Sequence, residues 1–320
     1  MLEPEESTLL LKLGDVASQL LDWPVFLRDF AAFFQTDAAQ IFVPQHIWGW
    51  DRTSAAQSRA APLPLLFSGL RAGRVYSGEE LRDRALAQDM QWLGADNRAI
   101  GLNCRHGAAC LVLRRDKGAF RAADGARLAA FAPHVAQALD QWHATQAITA
   151  RLHRMQDLAR RIGVGGMVLD VTRPAIVTVD TVAASLLAGH GLDARAVLDI
   201  AKPQDAPALH TLSAGLDLLV LSDTPAKGLM PGQVMAYLRR TDAPLPDPVH
   251  IAAALGISRA EARLACAMGE GASLSAAAAQ LGLTVETARN YSKRIYARTG
   301  LRGQAALVRY LWCSALMLAR

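Results

Sequence analysis

The chain has 320 residues, of which 52% are hydrophobic and 20% are charged, and its formal net charge is +5. This composition excludes an intrinsically disordered chain and provides apolar material for two or three packed domains. The charge is unevenly spread: residues 251 to 320 carry nine arginines or lysines and three glutamates, a net +6, so the first 250 residues sum to −1. A basic end on a nearly neutral body predicts an anionic partner for that end alone.

The chain start and the cysteines predict a cytoplasmic protein with no membrane partner. The first residues, MLEPEESTLLLKLGDV, are acidic before they are apolar, which does not fit a secretory signal. The longest apolar run contains Arg309 and is shorter than the roughly 20 residues of a membrane span. The four cysteines are scattered, which favours reduced thiols.

The first 150 residues are predicted to form one α/β domain. A helical pattern from Leu9 to Phe34 is broken at Trp23 and Pro24, and the short run QIFVP follows as a strand. NRAIGLNC and AACLVLRR are predicted to be two strands of a hairpin joined by RHG. A long helix is expected from residue 122 to about 160. Its apolar residues fall on one side: Leu128, Phe131, Val135, Leu139 and Trp142.

Residues 151 to 243 are predicted to form a second α/β domain. GGMVLDV and AIVTVD are strands around a turn at residues 172–174, TVAASLLAGHG is a short helix, and DLLVLS and QVMAYLRR are late strands. This order resembles a PAS-type sensor module, and residues 60 to 145 resemble a GAF- or PAS-like sensor half. The stretch 244–250 follows, where Pro244, Pro246 and Pro248 disfavour helix and predict an extended linker.

Residues 251 to 320 are predicted to be all helical. Ser258 and Glu261 have the spacing of a capping box, and glycines at 269 and 271 end that helix. In SLSAAAAQLGLT, one face carries Leu274, Ala277, Ala278 and Leu281, and Gly282 makes a tight turn.

The next helix, TVETARNYSKRIYARTG, has two chemically different sides. Thr284 is the expected N-cap. Four residues are expected to pack inward: Val285, Ala288, Ser292 and Ile295. The other side carries Arg289, Asn290 and Lys293, with Arg294 and Arg298 beside them. Arginine and lysine can bond guanine edges and asparagine can bond adenine, whereas flanking arginines suit phosphates. A solvated charged face is the alternative for the basic residues alone, and Tyr291 is either a flank packer or a base reader.

Residues 255 to 310 resemble the LuxR/GerE-type helix-turn-helix. The resemblance begins at Ile257, Ser258 and Glu261 and continues through Thr284, Thr287, Ala288, Tyr291, Arg294, Ile295, Arg298, Thr299 and Gly300. Ala277, Ala288, Tyr291, Arg298 and Thr299 depart from the family pattern. The resemblance implies double-stranded DNA and RNA polymerase as partners. The DNA-contacting set is expected to be Thr284, Thr287, Arg289, Asn290, Lys293, Arg294 and Arg298.

The last stretch, residues 301 to 320, is predicted to be one helix whose apolar face serves a homodimer or the domain's own core. That face is Leu307, Leu311, Ala315 and Leu318. The resemblance implies the homodimer.

The first 240 residues contain no catalytic motif, so we expect no enzyme activity, no cofactor and no metal. Cys104, His106 and Cys110 do not have a common zinc spacing. Aromatic residues crowd into the first fifty positions, either as an ordinary core or as a small-molecule pocket. The candidate ligand-binding residues are His46, Trp48, Trp50 and Tyr76.

The expected fold is therefore α+β and multidomain: two PAS/GAF-like sensor modules followed by an all-α, four-helix LuxR-type domain. The expected function is sequence-specific DNA binding by a transcriptional regulator under the control of a small molecule. The alternative is a protein-interaction module that uses a helix-turn-helix fold without base readout.

Overall fold

The computed structural model describes residues 4–53, 55–200, 207–221 and 229–319. The chain is a mixed α/β protein that divides into two compact units, Met1–Arg151 and Leu152–Arg320. The α+β class expected from the sequence is confirmed at this level. The finer domain boundaries stay predictions.

The first unit contains two helices, an antiparallel sheet with a short helix, and the beginning of a long helix. Its helices are α1 (Pro4–Ala17), α2 (Trp23–Phe33), α3 (Gly78–Arg84) and α4 (Ala122–Ile162), the last of which runs on past the unit's end. Its strands are β1 (Ala38–Val43), β2 (His46–Asp51), β3 (Ala55–Ala60), β4 (Val75–Ser77), β5 (Asp96–Leu102) and β6 (Ala109–Arg115).

The strands of this sheet lie in the order β3-β2-β1-β6-β5-β4. The predicted hairpin is confirmed, because β5 pairs antiparallel with β6. Both faces of the sheet are covered: Ile41 belongs to the cluster under α1, α2 and α4, and its neighbour Phe42 belongs to a cluster on the other face. The predicted apolar side of α4 is also confirmed, since Leu128 and Val135 are fully buried in the first cluster.

The second unit begins with a sheet and two short helices. These elements are β7 (Val164–Asp170), β8 (Ala175–Val179), α5 (Thr181–Gly189), α6 (Ala194–Leu198), β9 (Ala208–Ser213), β10 (Leu216–Val220) and β11 (Gln233–Arg240). The strand order is β8-β7-β11-β10-β9. The predicted succession of two strands, a helix and late strands is confirmed, and β9 is an additional strand. Helix α5 packs so closely on β7 that a Cβ at Gly165 would collide with Ala183.

The second unit ends in a helical bundle. Its helices are α7 (Pro248–Leu255), α8 (Arg259–Gly269), α9 (Leu274–Gln280), α10 (Val285–Thr299) and α11 (Gln304–Cys313), and a 3-10 turn follows at Ala315–Ala319. Their shared core is built around fully buried apolar residues: Ile251, Ala262, Leu264, Ala265, Ala277, Ala288, Ile295, Leu307 and Leu311.

The structure corrects the predicted linker at 244–250. Leu245 is buried in the helical core, and α7 already begins at Pro248 with Asp247 as its N-cap. Proline is compatible with the first turn of a helix because the missing amide hydrogen would have no partner there. The alternating prolines therefore mark a helix start as well as an extended approach to it.

The last predicted helix is also corrected. Helix α11 ends at Cys313, and Leu307 and Leu311 are 0% exposed within the chain's own core. These two side chains are not available to a second copy of the protein. Within the part of the chain that the structure describes, no helix combines the length and the apolar character that a bilayer span requires.

Candidate functional site

Side-chain caps fix where four helices of the bundle begin, namely α7, α8, α9 and α10. In α8 both halves of the predicted capping box are present: the Glu261 amide donates to Ser258 Oγ at 3.2 Å, and the Ser258 amide donates to Glu261 Oε2 at 2.8 Å. Thr284 Oγ1 accepts from the Thr287 amide at 3.1 Å and so caps α10. Gly282 has a φ of 66°, which only glycine adopts freely, and it turns the chain between α9 and α10.

Small side chains allow α10 to pack closely against the bundle. Ala277 on α9 and Ala288 on α10 are both 0% exposed, and Ile295 is equally buried. Ser292 is buried with its hydroxyl satisfied, because it donates to the Arg289 carbonyl at 2.9 Å. Val285 is 41% exposed, so its prediction as a packing residue was wrong. It is the first residue of the helix, and the contact seam begins one turn later.

The opposite side of α10 is exposed and rich in hydrogen-bond donors. Arg289, Asn290, Lys293 and Arg294 are all exposed. Arg289 lies 3.5 Å from Glu286, but the two side chains are 60% and 70% exposed, so solvent screens the pair. This arginine can exchange the carboxylate for another acceptor at little cost.

Two more arginines flank this surface. Arg294 Nη1 lies 3.7 Å from Glu261 Oε1, and the arginine side chain is 72% exposed. Arg298 lies over the end of α7, where a Cβ at Gly256 would be 3.2 Å from its Nε atom. All seven residues predicted to contact DNA lie on α10 or its cap, and Arg298 also lies beside Gly256 at the end of α7.

Glu286 belongs to the same surface and was not singled out from the sequence. It lies in the first turn of α10 and is three residues from Arg289. That spacing is a signal that sequence reading could have used. Tyr291 is partly buried against the helical core, which agrees with the flank-packing interpretation.

The first unit carries a pocket of about 520 Å³ beside β2 and α4. Its lining residues are Val43, Pro44, Gln45, His46, Trp48, Ser58, His106, Trp142 and His143. Of the four predicted ligand residues, His46 and Trp48 line it, whereas Trp50 and Tyr76 are not among the described residues that do. Trp50 packs against the core under α1, α2 and α4.

The assignment of Tyr76 to this site was wrong. Tyr76 belongs to the cluster on the other face of the sheet, and its hydroxyl accepts a hydrogen bond from the Arg71 amide at 3.0 Å. Successive residues of a strand point to opposite faces, so the side of the sheet that Tyr76 occupies depends on the register in which β4 pairs with β5.

Five aromatic rings form an unbroken series along the pocket. The ring centroids are 4.6 Å apart for His46 and Trp48, 5.0 Å for Trp48 and Trp142, 5.2 Å for Trp142 and His143, and 5.2 Å for His143 and His106. Trp142 was predicted as a core residue of α4, and His143 was not singled out. Their place in the pocket follows from the packing of α4 beside β2.

The three imidazoles differ in their hydrogen-bond partners. His46 Nε2 lies 2.9 Å from Ser58 Oγ, and burial lowers the pKa of His46. His143 Nδ1 lies 2.9 Å from the Leu139 carbonyl, so this nitrogen must carry the hydrogen. His106 Nδ1 lies 3.2 Å from Asp140 Oδ1, which favours a hydrogen on that nitrogen too.

The cysteines near this pocket belong to different surroundings. Cys104 packs against the α4 side of the sheet, and burial together with Asp140 raises its pKa to about 11. Cys110 is buried on the other face, where burial raises its pKa strongly. Both thiols are therefore protonated at neutral pH. The described residues contain no group of three or more side chains placed to hold a metal ion.

No family model and no curated protein matches the chain. Among solved structures, a phycoerythrobilin-bound GAF domain of a cyanobacterial phytochrome matches with 8% identity and a TM-score of 0.22, over 46% of this chain and 100% of that one. The E. coli DhaR(N)–DhaL complex matches with 15% identity and a TM-score of 0.30, over 73% and 86%. The R. palustris bacteriophytochrome RpBphP3 matches with 10% identity and a TM-score of 0.26, over 72% and 62%. At these TM-scores, the similarity gives no basis for assigning a function.

Proposed function

We propose that this chain is a sequence-specific DNA-binding transcriptional regulator, controlled by a small molecule that binds its N-terminal sensor region. The observation that carries the proposal is the division of α10 into two sides. Ala288, Ser292 and Ile295 are buried, whereas Arg289, Asn290 and Lys293 face solvent. A helix fixed by an apolar seam and exposing base-bonding groups suits insertion into a major groove.

The charge and the motif order support the same proposal. The net +6 of residues 251 to 320 suits a polyanion, since phosphate contacts supply much of the affinity of DNA-binding proteins. The capping box, the glycine turn and the basic helix follow one another as in the LuxR/GerE-type helix-turn-helix that this region resembles. Arg294 and Arg298 are the proposed phosphate contacts. The proposal therefore names specific residues for contact with bases and with phosphates. The resemblance to the LuxR/GerE type also implies RNA polymerase as a partner.

A sensor role for the preceding residues is supported by their element order and by the pocket. Two strands, short helices and three late strands in residues 164 to 240 agree with the PAS-like pattern of the sequence. The pocket beside β2 has the size of a small-molecule site. We assign no catalytic role to either sheet, and the proposed location is the cytoplasm.

The proposed homodimer is supported by an exposed apolar stripe on the second half of α4. Ile148, Leu152, Met155 and Ile162 are 61%, 52%, 57% and 40% exposed. With Ala159, they recur at alternating steps of four and three residues, which is the a/d pattern of a coiled coil. The occupant that fits such a seam is the same helix from a second copy.

The flanking positions of this seam fit two parallel copies. In that arrangement the residue at position 151 of one helix faces position 156 of the other, and these are arginine and glutamine. No like charges oppose each other there. The dimer interface is therefore proposed on α4 instead of on Leu307 and Leu311.

The second candidate function is a protein-interaction module without base readout. Glu286 favours this alternative, because it places an exposed carboxylate beside Arg289 on the side of α10 proposed to contact bases, and a carboxylate repels phosphate. The Tyr291 departure from the family pattern does not favour it, since that side chain packs against the bundle core.

A double substitution tests the proposed function. Using a duplex enriched from random sequence, we expect Arg289→Ala with Lys293→Ala to abolish specific retention of the full-length protein. Arg309→Ala is the matched control, because Arg309 is an exposed arginine on α11. Specific binding that survives the double substitution would refute base reading by α10.

A further inference from the structure

The pocket beside β2 and α4 has one apolar and one imidazole-rich part. Trp48 and Trp142 are in edge-to-face contact with a 5.0 Å centroid separation, and Val43 and Pro44 extend the apolar surface. Indole rings offer large flat contacts to a planar ligand. This part of the pocket favours an aromatic ring over a flexible polar chain.

The polar part of the pocket consists of three imidazoles, one hydroxyl and one amide. These groups belong to His46, His106, His143, Ser58 and Gln45. No carboxylate is present among the described lining residues. The neighbouring Asp140 is already engaged, because its Oδ1 accepts the Arg105 amide at 2.9 Å and faces His106 Nδ1 at 3.2 Å.

The hydrogen bonds of two histidines leave their Nε2 atoms uncommitted. His143 donates from Nδ1 to the Leu139 carbonyl, and His106 is paired through Nδ1 with Asp140. On protonation, each ring therefore gains an N–H donor at Nε2. The rings are stacked with centroids 5.2 Å apart, so two imidazolium charges would repel each other, and Asp140 beside His106 can offset only one of them.

We infer that this pocket binds a small planar aromatic carboxylate. The ring packs on Trp48 and Trp142, and the carboxylate accepts hydrogen bonds from protonated His106 and His143. A cationic ligand meets no carboxylate among the described lining residues, and a neutral ligand leaves one charge of a doubly protonated imidazole pair unbalanced by Asp140. The inference rests on the sensor part of the proposed function, since it names the ligand class that would control the protein.

The pH dependence of binding involves a small set of charged neighbours. His106 faces Asp140 and His143, and Arg105 precedes it in the chain. On the other side of the pocket, His46 faces the uncharged Ser58 and Trp48. The carboxylate should therefore bind more tightly at lower pH, because protonation of His106 and His143 supplies the Nε2–H donors that it needs.

The test compares three probes that share one ring system. Binding of indole-3-acetate, indole-3-acetamide and tryptamine to the full-length protein is measured by titration calorimetry at about pH 6 and about pH 8. The carboxylate is expected to bind about tenfold more tightly than the amide at the lower pH, as charge-assisted hydrogen bonds imply, and tryptamine is expected to bind worst.

Variants separate the two parts of the pocket. His143→Gln should remove the preference for the carboxylate over the amide, whereas Trp142→Ala should weaken both probes. His134→Gln is the matched control, because His134 is an exposed histidine on α4 outside the pocket lining.

Equal binding of carboxylate and amide, a preference for tryptamine, or no binding of any probe in the millimolar range would overturn the inference. A preference unaffected by His143→Gln would do the same. DNA retention of each variant without probe is measured in parallel. Failure of DNA binding alone removes the proposed function and leaves the pocket assignment, and failure of probe binding alone does the reverse.

Discussion

Arg294 on the proposed reading helix lies 3.7 Å from Glu261, the carboxylate that closes the capping box of α8. The glutamate side chain is 8% exposed, and the arginine side chain is 72% exposed. One acidic side chain thus fixes the start of one helix and contacts the flank of another. The side chain that completes the capping box therefore also contacts the surface that we assign to DNA.

Substitution of Glu261 by alanine should loosen the start of α8. Loss of a capping interaction costs about 1 kcal/mol, which corresponds to roughly fivefold faster hydrogen exchange of the first α8 amides. Arg294→Ala should leave that exchange nearly unchanged, because exposed ion pairs contribute little. Equal acceleration in both variants would show that the Arg294 contact, and not the cap, holds the helix.

Replacing Glu286 by glutamine should strengthen DNA binding. The change removes a negative charge from the reading side of α10 and releases Arg289 from its 3.5 Å pair. We expect severalfold tighter binding at low salt, with the gain shrinking as salt screens the charge. Fluorescence anisotropy with a short duplex measures it, and Glu270→Gln, which removes a carboxylate at the end of α8, is the control. Weaker binding of Glu286→Gln would instead indicate that the carboxylate accepts from a base.

Enlarging Ala277 should destabilise the helical bundle. Ala277 is 0% exposed where α9 meets α10, so leucine there overpacks the contact at a cost of about 1–3 kcal/mol. Ala279→Leu on the exposed side of the same helix is the matched control. Urea unfolding, monitored by hydrogen exchange of the α10 amides, compares the stability of the two variants. Equal stability would contradict the close packing described for this helix crossing.

A charge in the exposed seam of α4 should dissociate the proposed dimer. Leu152 is 52% exposed at an a/d position of the seam, so Leu152→Lys places opposing charges in the interface. His153→Lys, next to it and also exposed, changes the charge outside the seam. Sedimentation equilibrium should give a monomer only for the Leu152 variant. A wild-type monomer at all concentrations would refute the seam as an interface.

Stability should depend on His46 below about pH 6.5. Burial lowers the pKa of His46 from its ordinary 6.5, so below that pH the unfolded chain takes up a proton that the folded chain resists. This contribution destabilises the fold progressively as the pH falls through the lowered pKa. His46→Gln should lose less stability than the wild type between about pH 8 and pH 5. Thermal unfolding of both proteins measures it, and identical pH profiles would contradict a lowered pKa for His46.

The sequence predicted best those features that depend on neighbouring residues. The capping box at Ser258, the Thr284 cap and the turn at Gly282 need only a few consecutive side chains. The apolar side of α4 followed equally directly from helical spacing. The start of α7 at Pro248 was missed because proline disfavours a helix interior and yet suits a first turn.

The pocket could not be predicted from the sequence, because its lining residues come from distant parts of the chain. Trp142 and His143 meet Trp48 and His106 only because α4 packs beside β2 and the loop between β5 and β6. No local pattern relates these positions. Tyr76 was misplaced for a similar reason, since one residue of strand register decides which face of the sheet a side chain occupies.

Selection of bound duplexes from random DNA by the full-length wild-type protein tests the central claim most directly. If α10 reads bases and the protein is a two-fold dimer, the bound pool should be enriched in one motif with two half-sites about one helical turn apart. Retention that depends on salt and yields no enriched motif would contradict base readout. It would favour a helix-turn-helix fold used for contact with another protein.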